Sequence, residues 1–221
     1  MKIYRGAIFD MDGTLTDTID DLHFSMNETL AHYNLPLITF EQVKRFVGNG
    51  ARKFLLRSLP ADLAADEKFF AEAFALYNDC YISNGTRAVK PYAGVMDMLQ
   101  TLAAKKIPLG ICTNKQHVAA VAIAEKILAP IKFVAVFGDE PGQPRKPDPT
   151  RALAVAELMN VAPDKIAYVG DTSVDIDTAH NAGFLAVGVT WGFRPRSELV
   201  DAGADIIVDS PQVILRRVNF G

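Results

Sequence analysis

The amino-acid sequence predicts an α/β protein: a parallel sheet covered by helices on both faces, interrupted near its start by an all-helical segment. Three observations carry this. A short apolar run, Ala7-Ile8-Phe9, ends abruptly in acidic and glycine residues. No good strand candidate then appears between Asp17 and Ser83. From Pro91 onward, apolar runs of strand length alternate with stretches of helical periodicity. That alternation is the mark of crossover units in a parallel sheet.

Taken in order, Ala7-Ile8-Phe9 reads as a buried strand because it is continuously apolar and bounded by Gly6 and Asp10. Asp20 to Asn34 has Leu22, Met26, Leu30 and Tyr33 in helical rhythm. Phe40 to Phe46 and Ala51 to Leu59 are shorter helices. Ala64 to Ile82 is a long one, with Phe69, Phe70, Phe74, Tyr77 and Tyr81 as an aromatic stripe that belongs in a core. Ser83-Asn84-Gly85 stops it with a glycine cap. Four helices of this kind can pack as a bundle of their own. The predicted domains are therefore a core of residues 1–16 and 87–221 and a helical insert of residues 17–86, hinged near Asp17 and Arg87.

The second part runs helix Gly94 to Lys105, strand Ile107 to Cys112, helix Gln116 to Ile127 and strand Phe133 to Phe137. Helix Pro149 to Met159, strand Ile166 to Val169, helix Ser173 to Ala182 and strand Leu185 to Val189 follow. A short strand from Asp205 to Val208 and a helix from Pro211 to Val218 complete the pattern.

Composition narrows the function. Of 221 residues, 49% are hydrophobic, enough for a large core, and 22% are charged. A formal charge of −3 supplies no basic excess to attract nucleic acid, so an anionic ligand must be caught by local cations. The two cysteines, Cys80 and Cys112, have no zinc spacing or disulfide framework. Both read as buried apolar residues, and a reducing cytosol is the expected compartment. No apolar run is long enough to span a bilayer. The four histidines are scattered, and each reads as structural or surface.

Four stretches carry the chemistry. Asp10-Met11-Asp12-Gly13-Thr14-Leu15 puts two acids and a glycine turn at the carboxyl end of the first strand, where open α/β sheets bind ligands. So crowded an anionic site needs a cation, and magnesium, with its preference for oxygen, suits it. Cys112-Thr113-Asn114-Lys115 ends the next strand. Lys146 sits in Arg145-Lys146-Pro147-Asp148-Pro149, just before a helix. Gly170-Asp171-Thr172-Ser173-Val174-Asp175 follows another apolar strand. Each alone also fits a turn, a helix cap or a solvated surface residue.

In this order, the four stretches resemble the motifs of the haloacid dehalogenase superfamily, in particular its phosphatase branch. The resemblance covers the whole chain. It implies a Rossmann-like three-layer core with an inserted four-helix cap, and a phosphatase that hydrolyses a small-molecule phosphomonoester. By this resemblance Asp10 is the nucleophile that forms an aspartyl-phosphate, and Asp12 is the general acid and then the general base. Thr113 and Lys146 bind the phosphoryl oxygens, with Asn114 assisting. Mg2+ is held by Asp10, by the backbone carbonyl of Asp12 and by Asp171, with Asp175 in support.

Substrate choice is expected from the cap. Val47-Gly48-Asn49-Gly50-Ala51-Arg52-Lys53 is a glycine-rich turn opening a helix. Its Gly-Asn-Gly-Ala stretch is similar to cap loops of phosphoglycolate phosphatases. Gly50 with Arg52 or Lys53 is expected to hold an anionic group at the far end of the ester. The alternatives are a phosphoryl-transfer mutase of the β-phosphoglucomutase type, a pyrophosphate or nucleotide phosphatase, and a non-catalytic binding protein. The last is disfavoured because every acid and cation of the site is present. Oligomeric state is not legible.

Overall fold

A computed structural model describes residues 2–84 and 86–221, so the glycine stop expected at Gly85 lies outside the described residues. Elements follow in chain order: strand β1 (Gly6–Phe9), strand β2 (Thr16–Asp17), and helices α1 (Ile19–His32), α2 (Phe40–Phe46), α3 (Ala51–Ser58), α4 (Ala61–Ala65) and α5 (Glu67–Asn84). Then come β3 (Lys90–Pro91), α6 (Val95–Ala104), β4 (Leu109–Gln116), α7 (His117–Lys126), β5 (Ala135–Asp139), α8 (Thr150–Leu158) and β6 (Ile166–Gly170). α9 (Ser173–Asn181), β7 (Leu185–Val189), α10 (Arg196–Asp201), β8 (Ile206–Val208) and α11 (Pro211–Arg217) close the chain.

Six strands form one parallel sheet in the order β5-β4-β1-β6-β7-β8. Because β1 is central, the chain leaves it in one direction through β4 and β5 and returns on its other side through β6. The switch point therefore lies beside β1, where such sheets open a crevice at their carboxyl ends.

Alternation along the strands builds the layers. Ala7, Phe9, Ile111 and Val187 pack on one face with Leu99, Leu102, Ile123 and Ile214 of the helices covering it. Ile8, Tyr168 and Ala186 pack on the other with Val155, Ile176 and Leu199. The α/β class and its parallel sheet are as the sequence predicts.

The helical block has a third core built from Leu22, Met26, Leu30, Phe54, Leu55, Phe70, Tyr77 and Tyr81, joined by Ala119 and Phe193 from the sheet side. Phe69 and Phe74 of the predicted aromatic stripe pack at its margin.

Several local expectations need correction. The long helix expected from Ala64 is two helices, because the Asp66 carboxylate accepts from the backbone N–H groups of Lys68 and Phe69 and starts α5 afresh. β2 and β3 form a two-residue antiparallel ribbon at the two chain crossings into the helical block, too short for any periodic signal. α10 was not expected either; at six residues it spans under two turns. β4 runs past Cys112 to Gln116 through a register shift, so Thr113 and Asn114 belong to a strand end and do not cap α7. Among the described residues, no helix is long and apolar enough to cross a membrane.

Candidate active site

Register brings the acids together. Phe9 is paired with Ile111 on one side and Val169 on the other. Asp10 therefore leaves the sheet beside Cys112-Thr113 and Gly170-Asp171, with its N–H bonded to the Val169 carbonyl at 2.9 Å. Two glycines are required by close approach. Gly13 has φ +82°, and a Cβ there would lie 2.4 Å from Asp171 Oδ2. A Cβ at Gly170 would lie 2.2 Å from Cβ of Asp175.

Carboxylate oxygens of Asp10, Asp171 and Asp175 lie within 4.8 Å of one another, and all three residues are buried. Lys146 is buried among them, its ammonium 2.9 Å from Asp10 Oδ1 and 2.6 Å from Asp175 Oδ1. Asp175 also accepts through Oδ2 from the N–H (3.0 Å) and hydroxyl (2.8 Å) of Thr172. Asp171 accepts from the Thr14 hydroxyl at 3.1 Å and from the Phe193 N–H at 2.8 Å. Thr14 and the Phe193 backbone were not anticipated, because each acts across more than twenty residues of chain.

The charges are unbalanced. Burial, and then the nearby Asp175 and Asp10 charges, push the Asp171 carboxyl well above the usual carboxylate range. Burial also raises Asp175, against the pull of Lys146. Burial alone would lower the Lys146 ammonium, but Asp10 and Asp175 outweigh it and hold it well above the ordinary lysine value. Asp10 Oδ1 is buried and receives no well-directed hydrogen bond, although Lys146 stands beside it. Three carboxylates and one ammonium leave excess negative charge around an under-satisfied oxygen. A divalent, oxygen-seeking cation fits this donor set.

That fit has a measurable consequence. Because the folded pKa of Asp171 is raised, its contribution to stability in the metal-free protein is complete below the ordinary carboxylate pKa. It is lost as pH rises through the folded value. Magnesium at a hundredfold over its dissociation constant should add about 2.7 kcal/mol. At one fixed magnesium concentration the gain should be larger at pH 8 than at pH 5, where protons compete for the same oxygens. Melting scans of chelator-stripped protein with and without magnesium check this, and equal shifts at both pH values would count against a cation at Asp171.

On the open side, Asp10, Asp12, Thr113 and Lys115 face Val47, Gly48, Gly50, Phe54, Tyr77 and Tyr81 of the helical block across a cavity. The Thr113 hydroxyl oxygen accepts from the Lys115 N–H at 3.2 Å, which leaves its own hydrogen to donate. Asp12 is not one of the three clustered carboxylates. Its Oδ1 accepts from Lys115 Nζ at 2.8 Å.

Two expected contacts differ: Asn114 lines the cavity with its side-chain amide already engaged, and Arg52 lies outside it. The Asn114 amide accepts from the Lys146 N–H at 3.0 Å and donates to the carbonyls of Lys146 (3.2 Å) and Gly48 (3.1 Å). Both amide hydrogens are thereby used, so Asn114 positions Lys146 and the Gly48 turn and has no donor left for a phosphoryl oxygen. The Arg52 guanidinium lies over the Phe70 ring, 4.5 Å from its centroid. Neither Arg52 nor Lys53 lines the cavity, and both are exposed. α3 turns them outward, while Gly50 and Ala51 at its start do line it. Cys112 is buried, and burial pushes its thiol up to about 11, which rules it out as a thiolate nucleophile near neutral pH.

Residues 7–189 match the family model described as haloacid dehalogenase-like hydrolase. The chain belongs to that family. Among relatives of this hydrolase is a phosphoglycolate phosphatase of Agrobacterium fabrum, 33% identical over 92% of this chain and 87% of its own length. Another, a phosphoglycolate phosphatase of Chromobacterium violaceum, is 30% identical over 95% and 94%. A crystal structure of a predicted phosphoglycolate phosphatase from Haemophilus somnus superposes with a TM-score of 0.89 at 27% identity, covering 98% of each chain.

Proposed function

We propose that this hydrolase is a magnesium-dependent phosphatase that removes phosphate from a small anionic phosphomonoester, 2-phosphoglycolate or a close analogue. The carrying observation is the meeting of Asp10, Asp12 and Thr113 at the mouth of one cavity, with Lys146 and Asp171 directly behind Asp10. The names of the relatives support the substrate.

Residues 17–86 act as a cap domain on a core of residues 1–16 and 87–221, with the β2–β3 ribbon as the hinge. The ester binds with its phosphoryl group against Asp10. A carboxylate of Asp10 attacks phosphorus, forming the Asp10 O–P bond as the P–O bond to the leaving group breaks. Asp12, in its protonated form, gives its proton to the leaving oxygen. The Thr113 hydroxyl and the Lys146 ammonium donate to the non-bridging oxygens, where charge accumulates. Asp12, now a carboxylate, then takes a proton from water as that water attacks the aspartyl-phosphate and releases inorganic phosphate. Magnesium, held by Asp10, Asp171 and the Asp12 carbonyl, would screen the repulsion between the Asp10 carboxylate and the phosphate dianion. Phe54, Tyr77 and Tyr81 exclude bulk water from the leaving-group side. The two cysteines, neither of them in a disulfide, suit a reducing cytosol.

Phosphate release from a panel of esters with magnesium tests the reading. The expected result is a kcat/KM for 2-phosphoglycolate at least about tenfold above that for glycerol phosphate or an aryl phosphate. Release from none of them would overturn it.

A further inference from the structure

We infer that Lys115 is the residue that selects a carboxylate on the leaving group; this rests on the phosphatase reading above. An anionic leaving group needs a cation on the far side of Asp12. Arg52 is drawn onto Phe70, and Lys53 is exposed away from the cavity. Among the described residues lining the cavity, the charged ones are Asp10, Asp12 and Lys115, so the only cation is Lys115.

Its placement suits the task. The Lys115 side chain is 2% exposed and emerges from the bulged end of β4, between Asp12 of the core and Tyr81 of α5. The ammonium donates to Asp12 Oδ1 at 2.8 Å and to the Tyr81 hydroxyl. An ammonium has three N–H donors, and the third has no protein acceptor among the described residues. A lysine held at two points by fixed partners loses little further side-chain freedom when it binds a third. The surrounding wall of Leu22, Phe54, Tyr77 and Phe193 is apolar or aromatic, which strengthens an ion pair formed inside it. In 2-phosphoglycolate one methylene separates the carboxylate from the ester oxygen. The group that protonates that oxygen, Asp12, is the immediate neighbour of the cation that reads the carboxylate.

The same contacts make a rival role possible: Lys115 merely orienting Asp12. The two separate in binding measurements that need no turnover. In the Asp10→Asn background with magnesium, calorimetry compares 2-phosphoglycolate with 2-hydroxyethyl phosphate, which has similar size and a neutral end. Lys115→Gln is expected to weaken 2-phosphoglycolate by about thirtyfold, the scale of a charge-assisted hydrogen bond, and the neutral ester by less than about threefold. In the otherwise native enzyme, Lys115→Gln should lower kcat for both esters but raise KM only for the carboxylated one. Equal losses of affinity for the two esters would overturn the inference while leaving the phosphatase intact. Wild-type enzyme that releases phosphate from neither ester would overturn the phosphatase reading and the inference with it. Should Lys115→Gln fail to fold, the Asp10→Asn protein decides alone: neutral and carboxylated esters bound within about threefold of each other would overturn the inference.

Discussion

Asp10→Asn is expected to lower kcat by at least about four orders of magnitude for every ester tested, with no loss of folding stability. The activity loss follows from the proposed role. An amide neither attacks phosphorus nor leaves from the resulting intermediate, and Asp12 is already assigned to proton transfer. The retained stability follows from the surroundings. Asp10 is one of the charges that push Asp171 out of its normal range, and Lys146 keeps its 2.6 Å partner in Asp175 when Asp10 is neutralised. The metal-free variant should therefore melt no lower than the metal-free wild type. Phosphate release and melting scans on the two proteins side by side check both halves. Substantial residual turnover would remove Asp10 from the nucleophile's position.

Lys146→Met should be the most destabilising single change at the site. It removes the one ammonium placed between Asp10 and Asp175 and leaves three buried carboxylates facing each other. Breaking a buried pair by deleting one partner costs about 3–5 kcal/mol. Turnover should also fall by about a hundredfold or more, as when a donor to developing phosphoryl charge is lost. Denaturant unfolding and steady-state kinetics read the two effects separately. A stability change below about 1 kcal/mol, the size expected of an exposed lysine, would contradict the buried network. Part of the loss should return with magnesium, which replaces one positive charge with another among the same oxygens.

The layers and the acid cluster were legible because they depend on near neighbours in sequence. A continuous apolar run such as Ala7-Ile8-Phe9 can be buried on both faces only in a central strand, and the residue after it must then emerge at the sheet edge. The same logic located Thr113 and Asp171. Lys146, buried between Asp10 and Asp175, was singled out only through the Pro-rich turn around it, since a lysine by itself looks solvated. What escaped reading depends on contacts between distant segments. Lys115 stands in a quoted motif, yet its partners are Asp12 and Tyr81, 103 and 34 residues away. Arg52, with Lys53 as the alternative, looked like the anion-binding cation because it stands in the first turn of α3. The helix start instead turns it toward Phe70, and a cation over a ring is a partner that spacing does not reveal. Asn114 was assigned to the ligand by its place next to Thr113 in the motif. Only the position of Gly48 and Lys146 shows that both hydrogens are taken.

Arg194 joins the core to the helical block without reading any side chain there. Its guanidinium donates to the backbone carbonyls of Lys44, Arg45 and Val47 at the end of α2, braced by Glu198 at 3.3 Å. Asn114 does the same at the carbonyl of Gly48. Every helix with a free carboxyl end offers such carbonyls, whatever its sequence. This part of the docking is thus indifferent to the side chains of the block, whereas Phe193 and Ala119, packed into its core, and Lys115, bonded to the Tyr81 hydroxyl, do depend on them. A substitution in α2 that keeps the helix therefore leaves the contacts of Arg194 in place. In evolutionary terms, the carbonyl-held part of this seat places no demand on which side chains α2 carries.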